Sequence, residues 1–207
     1  MKVLLLNGSP HRNGCVATAL EEMIRTFEAQ GVETELVQVG GQAIRGCISC
    51  GYCGKNGQCV VKDLVNETAP KFEAADGLVV GSPVYYGSPN GTILSFLDRL
   101  FYSSSFPKHM KVGAAVVSCR RGGNSASFDV LNKYFTISGM PVAPSTYWNQ
   151  IHGFTAEDAK KDLEGLQTMR NLARNMSFLM RAIAAEKQVA GLPQVERSFR
   201  TSFHDGK

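Results

Sequence analysis

Residues 2–14 read Lys2-Val3-Leu4-Leu5-Leu6-Asn7-Gly8-Ser9-Pro10-His11-Arg12-Asn13-Gly14. The short apolar run Lys2–Asn7 has the form of a strand covered on both faces. It opens directly into a polar, glycine-bounded turn. Beyond the turn, Ala17–Ala29 places Leu20, Met23, Ile24 and Phe27 at helical spacing, and Gly31 supplies a stop. A strand, a tight loop and a helix in this order gather backbone N–H groups at a helix N-terminus, where the dipole favours an anion. Ser9 adds a hydroxyl, and His11 and Arg12 can add charge, between Asn7 and the closing Asn13-Gly14. Two other phosphate loops are excluded, because there is neither a G-x-G-x-x-G nor a Gly-Lys-Ser/Thr here. An ordinary βα turn rich in small residues would have a similar composition.

The same alternation continues outward. Glu33–Val39, Gly77–Gly81, Val112–Ser118 and Pro141–Trp148 read as further strands. Asp63–Ala75, Gly91–Phe101, Ser125–Ser138 and Thr155–Ala185 read as helices, with Pro70 limiting the first and Thr155 and Asp158 approaching a capping box on the last. Strands separated by helices indicate a parallel sheet covered on both faces, with ligands beyond the strand C-termini at a topological switch point. The loops Gly8–Gly14, Ser82–Asn90 and Cys119–Asn124 are the richest in Gly, Ser, Pro and Asn, and each follows a strand. That coincidence places the site.

The 207 residues suit one domain, read as 1–187 with an irregular cysteine-rich insertion at 40–62 and a surface tail at 188–207. A chain of this size buries roughly 70% of its unfolded surface and needs no staples. The net charge of +4 comes without any Lys/Arg run, so a nucleic-acid partner is not expected. No apolar stretch reaches the roughly 20 residues of a membrane span or the length of a secretory signal. The expectation is a soluble, cytoplasmic protein with no membrane partner, whose six cysteines are reduced thiols, metal ligands or packing residues.

The first loop resembles that of the flavodoxin-like NAD(P)H-dependent FMN reductases, which reads Gly-Ser-Pro-Arg-x-x-Gly-Asn-Thr. Gly81-Ser82-Pro83-Val84-Tyr85-Tyr86-Gly87-Ser88, followed by Leu94-x-Phe96-x-Asp98-Arg99, is similar to the second fingerprint of that family. The resemblance spans roughly residues 1 to 150. It implies a doubly wound, five-stranded parallel sheet in a three-layer αβα sandwich, FMN as cofactor and NAD(P)H as cosubstrate. It also implies that Pro83, Val84, Tyr85, Tyr86 and Gly87 surround the ribityl chain and ring, and that subunits pair as a homodimer or homotetramer. Cys15 and Val16 stand where the family has a polar pair on the phosphate, and His11 replaces an arginine. Phosphate binding then leans on Ser9, Arg12 and backbone amides. Ser118-Cys119-Arg120-Arg121-Gly122-Gly123 would present amides and a cation near the pyrimidine edge, which stabilises a reduced flavin. Trp148 is a pocket wall or a core residue, and His152 a loop residue or a catalytic acid.

Cys47, Cys50, Cys53 and Cys59 form C-x2-C-x2-C-x5-C. The spacing suits a [4Fe–4S] cluster wrapped by one loop and is similar to the compact motif of the iron–sulfur flavoproteins. Tetrahedral zinc, or structural and free thiols at a subunit contact, are the other readings. Cys15 and Cys119 are isolated and read as packing or flavin-proximal contact residues.

The expected function is an FMN-dependent NAD(P)H oxidoreductase that reduces a small-molecule acceptor of the quinone, nitro, azo or flavin type. An iron–sulfur flavoprotein electron carrier and a non-catalytic redox sensor are the alternatives. No side-chain acid or base is needed for the first reading, because the flavin carries the chemistry.

Overall fold

The computed structural model describes residues 1–199 and 201. The chain runs β1 (Lys2–Asn7), α1 (Cys15–Ala29), β2 (Glu33–Gln38), α2 (Tyr52–Asn56), α3 (Leu64–Ala74), β3 (Gly77–Tyr85), β4 (Ser88–Pro89) and α4 (Gly91–Ser103). It continues through β5 (Val112–Cys119), α5 (Asn124–Ile137), β6 (Gln150–His152), α6 (Ala156–Lys161) and α7 (Leu163–Val189). The main sheet has the order β2-β1-β3-β5-β6, and all its pairings are parallel. The chain leaves β1 toward β2 and returns to β3 on the other side of β1. The switch point therefore lies between β1 and β3, where the sequence places its two glycine-rich loops.

Side-chain alternation along β1 decides which layer each residue serves. Val3 and Leu5 join α1, α7 and the β5 residues Val112, Ala114 and Val116 in one buried cluster. Leu4 and Leu6 join Phe72 of α3, Phe96, Leu97 and Leu100 of α4, and Leu131 and Phe135 of α5 on the opposite face. A strand with both faces buried has no polar side to display, which is why this run is uniformly apolar. The fold is a three-layer, flavodoxin-like αβα sandwich, as expected.

Three expectations need correction. The strand expected at Pro141–Trp148 reduces to a single bridge between Gly113 and Val142. Pro141 and Pro144 cannot donate ladder bonds, and Ser145 Oγ bonds the Tyr147 carbonyl at 2.6 Å and Asn149 Oδ1 at 2.7 Å, turning the chain outward. The fifth main-sheet strand is instead Gln150–His152, paired with Val117–Cys119. The helix expected over Thr155–Ala185 divides at Asp162, whose ψ of 79° is not helical. Its carboxylate accepts from Gly165 N at 2.9 Å, starting α7, and from His152 N at 2.7 Å, tying that start to β6. The strand expected at Gly77–Gly81 runs on to Tyr85 and folds back as a hairpin, Tyr85 pairing with Ser88. Tyr86 (φ 52°) and Gly87 (φ 74°) form the hairpin's two-residue turn, the backbone signature of a type I′ connection.

The capping box is present: Thr155 Oγ1 accepts from Asp158 N at 3.2 Å, and Asp158 Oδ2 accepts from Thr155 N at 3.0 Å. Within the expected insertion at 40–62, α2 is the one helical piece among the described residues. Of the expected tail at 188–207, α7 takes residues to Val189 and no helix or strand follows in the described part. Residues 200 and 202–207 lie outside it.

Candidate functional site

The first loop is held from below. Asn7 Oδ1 accepts from Ser9 N at 3.0 Å, and Asn7 Nδ2 donates to Gln38 Oε1 at 2.9 Å. Gln38 Nε2 then donates to the carbonyls of Ser9 at 2.6 Å and Gly40 at 2.9 Å. Gly40 packs so closely that a Cβ there would overlap the Ser9 carbonyl. Gly8 N donates to the Gly81 carbonyl at 2.8 Å, joining the first loop to the second. A Cβ on Gly81 would come within 2.7 Å of Val16 Cγ1, so this glycine lets the opening turn of α1 approach β3.

The N-terminus of α1 is left open. Gly14 is its N-cap, no side chain caps it, and its first turn carries no acidic residue. Its first N–H groups therefore lack the usual partners and, with the helix dipole, favour an anion. Ser9, itself buried, holds the turn by accepting from His11 N at 3.2 Å.

Beyond these amides, the C-terminal ends of β1, β3, β5 and β6 enclose a recess of about 1210 Å³ measured out to its mouth. Ser9, His11, Gly14, Cys15 and Val16 line it from the first loop, Pro83, Val84 and Tyr85 from the second, and Ser118, Cys119 and Arg120 from the third. The structure thus gathers eleven of the sequence-derived candidates around one cavity. Arg12, Asn13, Tyr86, Gly87, Gly122 and Gly123 are not among its lining residues. Tyr86 stands fully in solvent at the hairpin tip, and Gly123 packs against Gly87.

Gly153, Phe154 and Thr155 form a fourth wall that sequence reasoning missed. Displacing the fifth strand to residues 141–148 hides the fact that this loop follows a strand end. The helix-cap signal at Thr155 was the available clue. Cys15 Sγ donates to the Thr155 carbonyl at 3.1 Å, tying this wall to α1. Burial pushes the thiols of both Cys15 and Cys119 above the ordinary range, so they stay protonated and are not thiolate nucleophiles.

Trp148 and Tyr147 meet edge to face at 4.8 Å, half-exposed on the rim of neighbouring grooves rather than in this recess. His152 turns away toward Asp162 Oδ2, 3.4 Å from its Nδ1.

The cysteine segment forms a second recess. Cys47, Cys50, Cys53 and Cys59 all line one recess of about 390 Å³ measured out to solvent, which also meets Arg99 and Tyr102 of α4. Positive φ at Ser49 (52°), Gly51 (70°) and Gly57 (66°) lets the chain double back around it. Cys59 is the best anchored of the four. Asn66 of α3 bonds both its N–H, at 3.1 Å, and its carbonyl, at 2.9 Å, while Arg99 Nε donates to its sulfur at 3.3 Å. Arg99 is buried, and its guanidinium forks onto Asp63 at 2.7 and 2.9 Å. Burial opposes the charge, but Asp63 and Cys59 outweigh it and raise the Arg99 pKa. The four thiols are free, and among the described residues no three ligand-type side chains converge closely enough to hold an ion. Four soft thiols lining one recess nonetheless match the donor chemistry of an iron–sulfur cluster.

The topology, the switch point and the open helix terminus define a flavodoxin-like protein with a loop recess at the uncapped start of α1. Residues 1–154 match the family of NADPH-dependent FMN reductases, and the chain belongs to that family. It is 30% identical over 191 residues to an iron–sulfur flavoprotein of Methanocaldococcus jannaschii, covering 88% of this chain and 99% of that one. Among solved structures it resembles RosB with bound 8-demethyl-8-formylriboflavin-5′-phosphate (TM-score 0.69, 16% identity, 100% of this chain and 93% of that one). It also resembles FerB, an NAD(P)H:acceptor oxidoreductase of Paracoccus denitrificans (TM-score 0.64, 13% identity, 87% and 97% covered). Family membership makes the chain an FMN-type flavin oxidoreductase. No helix among the described residues is long and apolar enough to cross a membrane.

Proposed function

We propose that this protein is an FMN-dependent oxidoreductase whose segment Cys47–Cys59 carries a [4Fe–4S] cluster, so that it exchanges electrons both in pairs and singly. The observation that carries this reading is that all four cysteines line one recess, in a chain whose loop recess suits a flavin phosphate. Its M. jannaschii relative bears the name iron–sulfur flavoprotein, which agrees.

Bound FMN would supply reversible one- or two-electron chemistry, and a bound cluster one-electron chemistry. The protein's own groups bind and orient. The free amides opening α1 and the Ser9 hydroxyl take the phosphate. Pro83, Val84 and Tyr85 offer a largely apolar wall to a planar ring, and Phe154, largely exposed, lines the same recess. Arg120, in the third loop, brings positive charge to the recess and stabilises negative charge as it develops on a ring there. The protonated thiols of Cys15 and Cys119 contribute small polarisable walls and no base. Exposed Phe154 at this mouth, and exposed Tyr147 and Trp148 on the neighbouring grooves, offer apolar surface that a homodimer or homotetramer would cover.

A second reading is an NAD(P)H-dependent reductase of quinone, nitro, azo or flavin acceptors in which the thiols are structural. The volume of the loop recess, about 1210 Å³ out to its mouth, favours it, since a second substrate would have to reach a flavin there. Anaerobic purification followed by iron and flavin analysis and a visible spectrum tests both. Equal occupancy of cluster and flavin, with broad absorption at about 420 nm bleached by dithionite, supports the cluster reading. Flavin bands without iron, together with NAD(P)H oxidation, support the second. Colourless protein that refuses micromolar FMN refutes both.

A further inference from the structure

We propose that Arg99 is a positioning residue that sets the electron affinity of the cysteine centre, acting through Cys59 as a buried cation whose strength Asp63 trims. The inference rests on the cluster reading above and goes beyond it, because the cysteine motif leaves Arg99 out and the fingerprint that includes it assigns it no role toward the cysteines.

Arg99 sits on α4, on the same helix as the core residues Phe96, Leu97 and Leu100, and its side chain is 1% exposed. A buried ion pair is poor value as a stabiliser, since well-packed apolar groups of similar volume often do as well or better. Every donor of the guanidinium is nevertheless used, and every acceptor lies in or beside the cysteine insertion. Nε donates to Cys59 Sγ, Nη1 to the Arg45 carbonyl and Asp63, and Nη2 to the Val61 carbonyl and Asp63. Among the described residues, Arg99 is the one charged side chain lining the recess that holds the four thiols. The other walls are cysteines, glycines, Ile48, Val60, Val61, Tyr102 and two serines.

Arg99 itself is buried, so its charge acts on Cys59 at short range and with little solvent between them. A thiolate-bound cluster gains one negative charge for each electron it accepts. A fixed cation hydrogen-bonded to one of its sulfur ligands stabilises the reduced state more than the oxidised one. The electron enters from an external one-electron donor, and no bond to Arg99 forms or breaks. Asp63 pairs with the same guanidinium and offsets part of its field.

This arrangement predicts shifts of opposite sign. In anaerobically purified holoprotein, Arg99→Gln removes the cation while leaving Asp63 charged, so the cluster becomes harder to reduce. Asp63→Asn leaves the cation and removes its counter-ion, so the cluster becomes easier to reduce. The expected size is at least tenfold in the reduced-to-oxidised ratio at a fixed solution potential, which is about 59 mV for a one-electron couple. Dithionite titration followed by electron paramagnetic resonance reads the potential, with iron counted in each sample. A merely structural clamp would lower iron content in both variants and give no opposed shifts, and that result overturns the role of Arg99. Iron-loaded variants with unchanged potentials also overturn it. If Arg99→Gln fails to fold, the upward shift of Asp63→Asn decides alone, and its absence refutes the proposal. Wild-type protein without iron fails at the earlier step and removes the cluster reading itself, a result distinct from an iron-loaded protein with unmoved potentials.

Discussion

Replacing Ser9 by alanine tests the loop recess at the point where its chemistry is most concentrated. Ser9 is 4% exposed and lines the recess together with Gly14 and Cys15 at the start of α1, with its hydroxyl oxygen accepting from His11 N at 3.2 Å. Its hydrogen remains free to donate to an anion at those amides. Alanine removes that donor and leaves the His11 N–H without its acceptor. A hydrogen bond to a charged group contributes about 1.5 to 3 kcal/mol. At about 1.4 kcal/mol per decade, FMN affinity should fall roughly 10- to 150-fold. The fold should survive, because Asn7 and Gln38 hold the loop through its backbone. Titration of apoprotein with FMN, following quenching of flavin fluorescence, gives the constants. His152→Ala is the control, since His152 points to Asp162 and lies outside the recess. If Ser9→Ala binds FMN within twofold of wild type, or loses no more affinity than His152→Ala, the phosphate is not where the open helix terminus places it.

Three further outcomes follow from the packing. Gly40→Ala should weaken FMN binding more than it lowers stability in urea, because its Cβ would displace the Ser9 carbonyl and break the Gln38 bonds beneath the loop. Unchanged FMN affinity would refute this. Glu22 bonds Arg25 at 2.5 Å and Arg170 of α7 at 2.6 Å. Burial works to raise its pKa, but the two guanidiniums outweigh it and hold the carboxyl below its ordinary 4.5. A depressed pKa stabilises the fold above the ordinary value, and the contribution is lost as pH falls from there through the folded-state pKa. Glu22→Gln should cost about 1 kcal/mol at neutral pH and flatten the acid limb of thermal stability below pH 4.5, and an unaltered limb refutes the assignment. Asp162→Ala removes the cap of α7 and the acceptor of His152 N, and should cost about 2 kcal/mol in urea denaturation. A loss below about 0.5 kcal/mol would show that the helix break is held by something else.

Much of this molecule was legible in one dimension wherever local pattern and burial agree. The apolar run Lys2–Asn7 must be covered on both faces, and the clusters on either side of β1 show that it is. The glycine-rich loops could be placed at strand ends because parallel strands put their connections there. The cysteine spacing was visible too, and the structure adds that all four thiols share one recess. The misplaced fifth strand shows where local reading fails. Residues 141–148 carry strand-like composition, yet two prolines and the hydroxyl of Ser145 take the chain out of register, and a three-residue strand too short to leave a pattern pairs instead. That error concealed the fourth wall of the recess at Gly153–Thr155.

By itself, the sequence determined the alternation of strands and helices, the small-residue loops at the strand ends, and the thiols within reach of one another along the chain. These follow from periodicity and from backbone chemistry over a few residues. Tertiary structure decided which side chains meet across long separations. Arg99 reaches partners 36 to 54 positions away, and Asp162 joins a strand to the helix it starts. No local pattern encodes such contacts, because they exist only once the layers have packed and a buried charge has been obliged to find its acceptors.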